Sequence, residues 1–271
     1  MFPASRSIVS CVVRDFLRLT AISGLSAVCA VSQAGTDVPM GSNSWFIGLG
    51  GGVSGIYLPR DTVINNGVNL PPPNHQDTAT MNNPSASNVQ LEAGYRWHRA
   101  IPYFPYAQWA LQYRHYANVK ISGTLNQFSS PGFDNYHYQL KYEADLFTIA
   151  GKVDLFQCKR VLPYLSAGIG AVINHVNSYS ETALLNVTPR TSPDFQGNVN
   201  TKLALTLGAG LDYLMTENTW LTLGYEHVFQ GNTKSGPGVD SWSSTAFNIG
   251  NTKMDTLFIS LSANIPAALK G

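Results

Sequence analysis

Apolar and polar side chains alternate along this chain in segments of about ten residues, which is typical of strands with one apolar and one polar face. In the clearest segment, 88–98, every odd-numbered residue from Val89 to Trp97 is apolar or aromatic, and every even-numbered residue is polar or glycine. Segments 201–215 and 220–230 repeat the pattern. A tilted strand of about this length crosses the hydrocarbon core of a bilayer, so the pattern predicts membrane-spanning strands.

Five further segments alternate less regularly: 43–57, 105–121, 138–155, 162–176 and 255–265. Within 138–155 the apolar residues change parity after Leu146, so we expect a β-bulge near Phe147. Together the eight segments predict an all-β fold, an eight-stranded antiparallel up-and-down transmembrane β-barrel.

The connectors between these segments alternate between long and short, in the order 58–87, 99–104, 122–137, 156–161, 177–200, 216–219 and 231–254. A barrel with an even number of strands and both termini in the periplasm has four outer loops and three inner turns, which is the count found here. The long connectors are polar and rich in turn-forming residues, so we expect four long, mobile extracellular loops.

The N-terminal stretch has the features of a secretory signal peptide. Three arginines precede an apolar run of small residues, 19–31, that ends in Ser32-Gln33-Ala34. Cleavage after Ala34 would remove residues 1–34 and leave 35–271 as one outer-membrane barrel domain. A lipid anchor on Cys29 is an alternative, although the residues before it lack the usual leucine. The apolar run is shorter than the ~20 residues of a spanning helix.

Composition and cysteine count argue against a nucleic-acid-binding protein and against a disulfide-stabilised one. Only 12% of the residues are charged and the formal net charge is +1, so nothing indicates a nucleic-acid partner. After cleavage Cys158 is the single cysteine, which excludes an intramolecular disulfide.

Aromatic residues lie close to the predicted short turns, where a periplasmic girdle at the membrane interface would place them. They are Trp97, Tyr103, Tyr106, Trp109, Tyr164, Tyr213 and Trp220. The general preference of strands for aromatic residues is the alternative explanation.

Nine charged residues fall on the parity that the pattern assigns to the barrel interior. They are Glu92, Arg96, Arg114, Lys141, Glu143, Asp145, Lys202, Asp212 and Glu226. Unpaired charges in so narrow a space are costly, so we expect a lumen-facing network of cross-strand salt bridges that plugs the barrel. The same residues could instead line a gated pore of low conductance.

Two stretches carry a resemblance to a known family. Trp45-Phe46-Ile47-Gly48-Leu49-Gly50-Gly51-Gly52, within 41–55, resembles the opening strand of the OmpA-like eight-stranded outer-membrane barrels (the opacity/OmpA-like superfamily), and 162–170 is similar to another recurring strand. The resemblance implies the outer membrane of a Gram-negative bacterium, with outer-membrane lipid, lipopolysaccharide and the barrel-assembly machinery as partners. The segment after Ile265 departs from the family's usual terminal aromatic residue.

Enzymatic chemistry is the weakest of the functional hypotheses. Barrels that resemble the lipid A deacylases place a histidine and a serine two residues apart on one strand. His115 and His227 are instead followed at that spacing by Ala117 and Phe229. The six histidines are scattered singly along the chain, so the sequence predicts no catalytic, metal or cofactor site.

The sequence therefore predicts a non-enzymatic outer-membrane protein with a structural or surface-interaction (adhesin-like) role. Its excess loop length would serve contact with a host surface or another extracellular ligand. A small low-conductance pore is the alternative, and a lipid-modifying barrel enzyme is a distant third. Strand periodicity alone would also allow a soluble β-sandwich.

Overall fold

The computed structural model describes residues 43–66, 71, 75–99, 103–188, 195–239 and 245–265. The predicted signal peptide and residues 266–271 lie outside the described residues. The strands are β1 (Ser44–Tyr57), β2 (Asp61–Asn65), β3 (Gln76–Thr80), β4 (Ser85–His98), β5 (Tyr106–Asn126), β6 (Asp134–Asp154), β7 (Val161–Ala183), β8 (Asn198–Leu214), β9 (Thr219–Pro237) and β10 (Ala246–Ile265). Two 3₁₀ turns, Gln127–Ser129 and Pro131–Phe133, connect β5 to β6. Among the described residues we find no helix with the length and hydropathy needed to span a membrane.

Eight of these strands form a closed antiparallel ring in the order β1-β4-β5-β6-β7-β8-β9-β10. The ring closes between β1 and β10, which pair from Trp45 opposite Ile265 to Tyr57 opposite Lys253. The predicted eight-stranded up-and-down barrel is confirmed. Closure pairs the backbone groups of every ring strand on both sides, which is how a sheet can cross lipid without an open edge.

Strand alternation gives the ring an apolar outside and a mostly polar inside. On β1, for example, Leu49 and Val53 are exposed on the outside, whereas Phe46 and Ser54 are buried inside. Outward-facing leucine, isoleucine and valine side chains form a continuous band on the other ring strands. We call this surface the apolar band, and its contact with acyl chains accounts for hydrophobic exposure that water would penalise.

Much of the chain predicted as outer loop is strand. β5 and β6 pair as far as Asn126 opposite Asp134, so their connection, 127–133, is no longer than the inner turn 99–105. β7, β9 and β10 also extend beyond their predicted outer ends. The barrel wall therefore continues past the apolar band on the side of the longer connectors, which is the extracellular side in outer-membrane barrels, and we call this part the extracellular extension.

The connection between β1 and β4 contains the hairpin of β2 and β3, which pair from Asp61 opposite Thr80 to Asn65 opposite Gln76. Thr78 and Ala79 of β3 also pair with the outer end of β5. The hairpin thus belongs to the extracellular extension.

The bulge expected near Phe147 is absent from the described pairing. β6 keeps an unbroken register with β5 from Ala144 to Val153, and the irregularity lies on β5, between Tyr116 and Val119. A second shift separates Gln139 from Lys141 in the pairing of β6 with β7. The prediction was wrong because the parity of the apolar residues on β6 changes with the environment of the strand and not with its geometry.

Candidate functional site

The inside of the barrel is filled in three layers, of which the periplasmic layer is apolar. Tyr106, Leu162, Leu214 and Trp220 form a buried cluster beside the inner turns. The rings of Tyr106 and Trp220 meet edge to face with centroids 4.8 Å apart. This cluster closes the periplasmic end of the lumen.

Arg96 covers the cluster from above. Its guanidinium lies 3.9 Å from the ring centroid of Trp220 and 4.7 Å from that of Phe46. Its Nε donates to Gln108 Oε1 (2.9 Å), and its Nη atoms donate to the side chains of Ser262 and Asn264. Cation–π contacts and neutral acceptors thus hold this buried cation.

The middle layer contains two ion pairs. Lys152 Nζ lies 2.6 Å from Asp212 Oδ2, and Thr222 Oγ1 donates to Asp212 Oδ1 at 2.6 Å. Arg114 pairs with Glu226 and also donates to Gln90 Oε1 at 2.6 Å. Buried charges are tolerated when they are paired and hydrogen-bonded in this way.

The outer layer is a large apolar cluster inside the extracellular extension. Tyr138 contacts Tyr179 and Phe247, with ring centroids 5.8 and 5.2 Å apart, and Phe195 contacts both partners. Ile64 of the hairpin is fully buried in the same cluster. Burial raises the pKa of the Tyr138 phenol, and the hydroxyl donates to Thr80 O at 2.5 Å. The extension therefore has a packed core of its own.

Within the part of the chain that the structure describes, the cavity between these layers is small. The cavity of the middle layer, bordered by Glu92, Tyr164 and Phe258, has a volume of about 20 Å³. That volume holds roughly one water molecule. A larger groove, of about 600 Å³, lies on the outside between apolar side chains such as Leu91 and Phe147, where it faces lipid.

The structure divides the nine predicted lumen-facing charges into two groups. Arg96, Arg114, Asp212 and Glu226 are buried inside the barrel, and Glu92 and Lys202 lie half-buried on the same inward parity. For the other three, Lys141, Glu143 and Asp145, the inward prediction was wrong, because they share the outward parity of Phe147 and Ile149 on β6.

The physical reason for this error is a reversal of polarity along β6. Below Asp145 the outside of the strand meets lipid and is apolar. Above it the outside meets water, and the apolar side chains Tyr138, Leu140 and Tyr142 turn inward to form the core of the extension. A single assignment of the apolar face to lipid fails for a strand that crosses both environments.

The nine predicted charges omitted two interior residues, Lys152 and Asp154. Lys152 pairs with Asp212, and Asp154 is almost fully buried at the periplasmic end of β6. The outward positions of Ile149 and Val153 were the signal that could have placed both residues inside.

The predicted aromatic girdle is present in part. Trp97, Tyr103 and Tyr213 are exposed near the inner turns, whereas Tyr106, Tyr164 and Trp220 are buried inside the barrel, contrary to the prediction. The girdle also includes two residues absent from that prediction: Trp45 contacts Tyr95 and Trp109, with ring centroids 5.3 and 6.0 Å apart, and Tyr95 contacts Trp97.

At the opposite border of the apolar band, two clusters of polar side chains face outward. In one, Tyr113 Oη donates to Asp145 Oδ1 (2.8 Å), and His115 Nδ1 lies 2.9 Å from the same oxygen. In the other, Tyr225 and His227 approach Asp255 in the same way. Each histidine implicated in the deacylase hypothesis is therefore paired with an aspartate.

A closed ring of eight antiparallel strands, with an apolar band outside and paired charges inside, defines an integral outer-membrane β-barrel protein. At the level of fold this confirms the resemblance to eight-stranded OmpA-like barrels. The outer membrane is the location that this fold specifies.

Comparisons with known proteins identify no narrower class. No family model matches the chain. Uncharacterized proteins of Brucella abortus (strain 2308) and Brucella suis biovar 1 (strain 1330) are each 33% identical over 112 residues, which is 41% of this chain. The chain matches 38% of the length of these relatives.

Several solved structures are similar in fold at low sequence identity. Neisserial surface protein A is 14% identical, with coverage of 83% of this chain and 99% of that chain and a TM-score of 0.44. The outer membrane protein OprG from Pseudomonas aeruginosa is 14% identical, with coverage of 85% and 100% and a TM-score of 0.44. The attachment invasion locus protein Ail of Yersinia pestis is 14% identical, with coverage of 83% and 100% and a TM-score of 0.36.

Proposed function

We propose that this protein is a non-conducting, adhesin-like surface protein that binds an extracellular macromolecule through its extracellular extension. The observation that carries the proposal is the filling of the barrel: an apolar layer at each end and ion pairs between them leave a cavity for about one water molecule. A lumen filled in this way suits a barrel that presents a binding surface better than it suits a pore for solutes.

The extension is built as a rigid platform. Paired strands continue beyond the apolar band, and the hairpin of β2 and β3 packs onto the same core through Ile64 and Ala79. A preorganised surface loses little conformational entropy when a partner binds, so rigidity favours recognition.

Apolar side chains are exposed at the tip of this platform. Leu184 N donates to Asn135 O at 2.8 Å, which holds the start of the β7–β8 connection beside the outer end of β6. Phe133 and Leu184 are exposed, and Leu185 is 90% exposed. Apolar side chains clustered in water mark contact surfaces, so we assign them to the partner-binding face.

Cells that display the protein test the binding role. We expect displaying cells to adhere to cultured epithelial cells or immobilised matrix proteins, and we expect Leu185→Asp combined with Phe133→Asp to reduce that adhesion. Asn186→Asp adds a charge at the same exposed tip without removing an apolar side chain and should adhere like the wild type. Adhesion equal in displaying and non-displaying cells would contradict the proposal.

A planar bilayer tests the non-conducting barrel directly. Purified protein inserted into the bilayer should give no steady single-channel steps, while a general porin measured in the same bilayer does. Reproducible steps from the wild-type protein would favour the alternative function, a small low-conductance pore.

A further inference from the structure

The fold brings together four side chains of metal-ligating type from three separate stretches of the sequence. On the outer face of the barrel, strand pairing sets His115 of β5 opposite Asp145 of β6. One pair further out, it sets Glu143 of β6 opposite His175 of β7. Two imidazoles and two carboxylates thus occupy adjacent positions on three strands.

The ligand atoms of these side chains are already close. His115 Nδ1 lies 2.9 Å from Asp145 Oδ1, and His175 Nε2 lies 3.4 Å from Asp145 Oδ2. One ligand atom each from His115, Glu143 and Asp145 lie within 4.8 Å of one another. Ligands at about 2.0–2.1 Å from a tetrahedral ion are about 3.3 Å apart, so an ion needs rotamer changes that draw this group closer and bring in His175 from its contact with Asp145.

From this geometry we propose that His115, Glu143, Asp145 and His175 bind a divalent transition-metal ion such as Zn²⁺ or Cu²⁺. Imidazole nitrogen combined with carboxylate oxygen suits these ions, whereas Ca²⁺ and Mg²⁺ prefer oxygen ligands alone. Tyr113 Oη donates to Asp145 Oδ1, which orients the carboxylate and leaves Oδ2 directed to His175.

The site is accessible from outside the cell. The side chains of His115 and His175 are each 34% exposed, and that of Asp145 is 20% exposed. All four residues lie just beyond Phe147, at the outer border of the apolar band. An ion can therefore enter from the aqueous side while the strands hold its ligands in register.

The second outward cluster provides an internal comparison. Tyr225, His227 and Asp255 repeat the contacts of Tyr113, His115 and Asp145. In place of Glu143 and its partner His175, however, this cluster has Lys253 opposite Tyr57. With one imidazole and one carboxylate, the second cluster lacks the number of ligands that an ion requires.

Metal titration of tag-free protein, folded in detergent micelles and freed of metal with a chelator, tests the site. Calorimetric titration should show one Zn²⁺ ion per chain. The affinity should fall at least about tenfold in Glu143→Gln and in His175→Gln, because loss of a supporting group alone causes a loss of that size. His227→Gln, the matched control in the second cluster, should retain the wild-type affinity.

Paramagnetic resonance of the Cu²⁺ form identifies the ligands. The wild-type spectrum should show coupling to two nitrogens, and His175→Gln should show coupling to one. Heat-modifiable gel migration would confirm that each variant is folded. The proposal would be overturned if the wild-type protein did not bind one Zn²⁺ ion per chain, or if Glu143→Gln and His175→Gln both kept the wild-type affinity. It would also be overturned if His227→Gln lost the affinity.

Discussion

Arg114 on β5 and Glu226 on β9 form an ion pair through the middle of the barrel, with side-chain exposures of 3% and 7%. The two strands are not neighbours in the ring, so the pair ties opposite walls together. Gln90 on β4 accepts a second hydrogen bond from the same guanidinium. The side chains of Arg114, Glu226 and Gln90 thus connect the three strands β5, β9 and β4.

Breaking this pair should destabilise the barrel. Glu226→Gln leaves the Arg114 cation buried without its counter-charge, so the free energy of unfolding should fall by about 3–5 kcal/mol. Urea unfolding in micelles, followed by tryptophan fluorescence, measures the change. Glu217→Gln, on an exposed inner turn, should stay within about 0.5 kcal/mol of the wild type. Equal stability of the two variants would show that the pair contributes nothing.

The reversal of polarity along β6 predicts three different responses on one strand. Ile149→Arg places a charge against lipid and should cost about 2–4 kcal/mol. Lys141→Leu, on the outside above the apolar band, should stay within about 0.5 kcal/mol of the wild type. Leu140→Arg, inside the extension, should destabilise strongly because a charge enters the apolar core. If Lys141 faced the lumen, Lys141→Leu should instead destabilise the protein and Leu140→Arg should be tolerated.

Disruption of the packed core of the extracellular extension should leave the membrane-spanning part of the barrel folded. Tyr138→Ala deletes a ring that contacts Tyr179 and Phe247 and a hydroxyl that bonds to Thr80 O, at a cost of about 3–5 kcal/mol. Proteinase K added to intact cells should then cut the extension faster. Tyr103→Ala, on an exposed inner turn, should leave the rate unchanged. Resistance of Tyr138→Ala equal to that of the wild type would contradict a packed extension.

Gly224 of β9 occupies a position with no room for a side chain. A Cβ atom there would overlap Tyr164 Oη and the ring of Phe258. Gly224→Val should therefore cost about 1–3 kcal/mol through overpacking. Gly132→Val, where a Cβ meets nothing within 4 Å, is the matched control. Thermal unfolding by heat-modifiable gel migration compares the two, and a similar midpoint for both would contradict crowding at Gly224.

The sequence predicted the membrane-crossing part of the fold well because one physical rule governs it. Where lipid surrounds the wall, apolar residues must face outward, so the parity of Val89 or Leu205 assigns the faces of its strand. The same rule places Arg96 and Glu226 inside. Strand number and topology followed from the count of such segments.

The extracellular extension was not predictable by that rule. Between Tyr138 and Asp145 the apolar residues face inward as in a soluble protein, and nothing in a local pattern marks where lipid gives way to water. The approach of His115 and His175 to Asp145 was not predictable either, because it depends on the register of three strands. Spacing along the chain showed only isolated histidines.

The bulge on β5 between Tyr116 and Val119 marks the position at which the inward-facing residues of the strand change from even to odd numbers. Below it, even-numbered residues such as Arg114 face inward; above it, odd-numbered residues such as Ile121 and Leu125 do. Deleting Asn118 alone would remove the bulge and leave Ile121 and Leu125 facing inward, whereas deleting one residue beyond the bulge would turn the side chains that follow it out into water, and removing residues there in pairs would preserve both faces. The outer part can therefore be lengthened, shortened or exchanged in two-residue steps without disturbing the part that crosses the membrane.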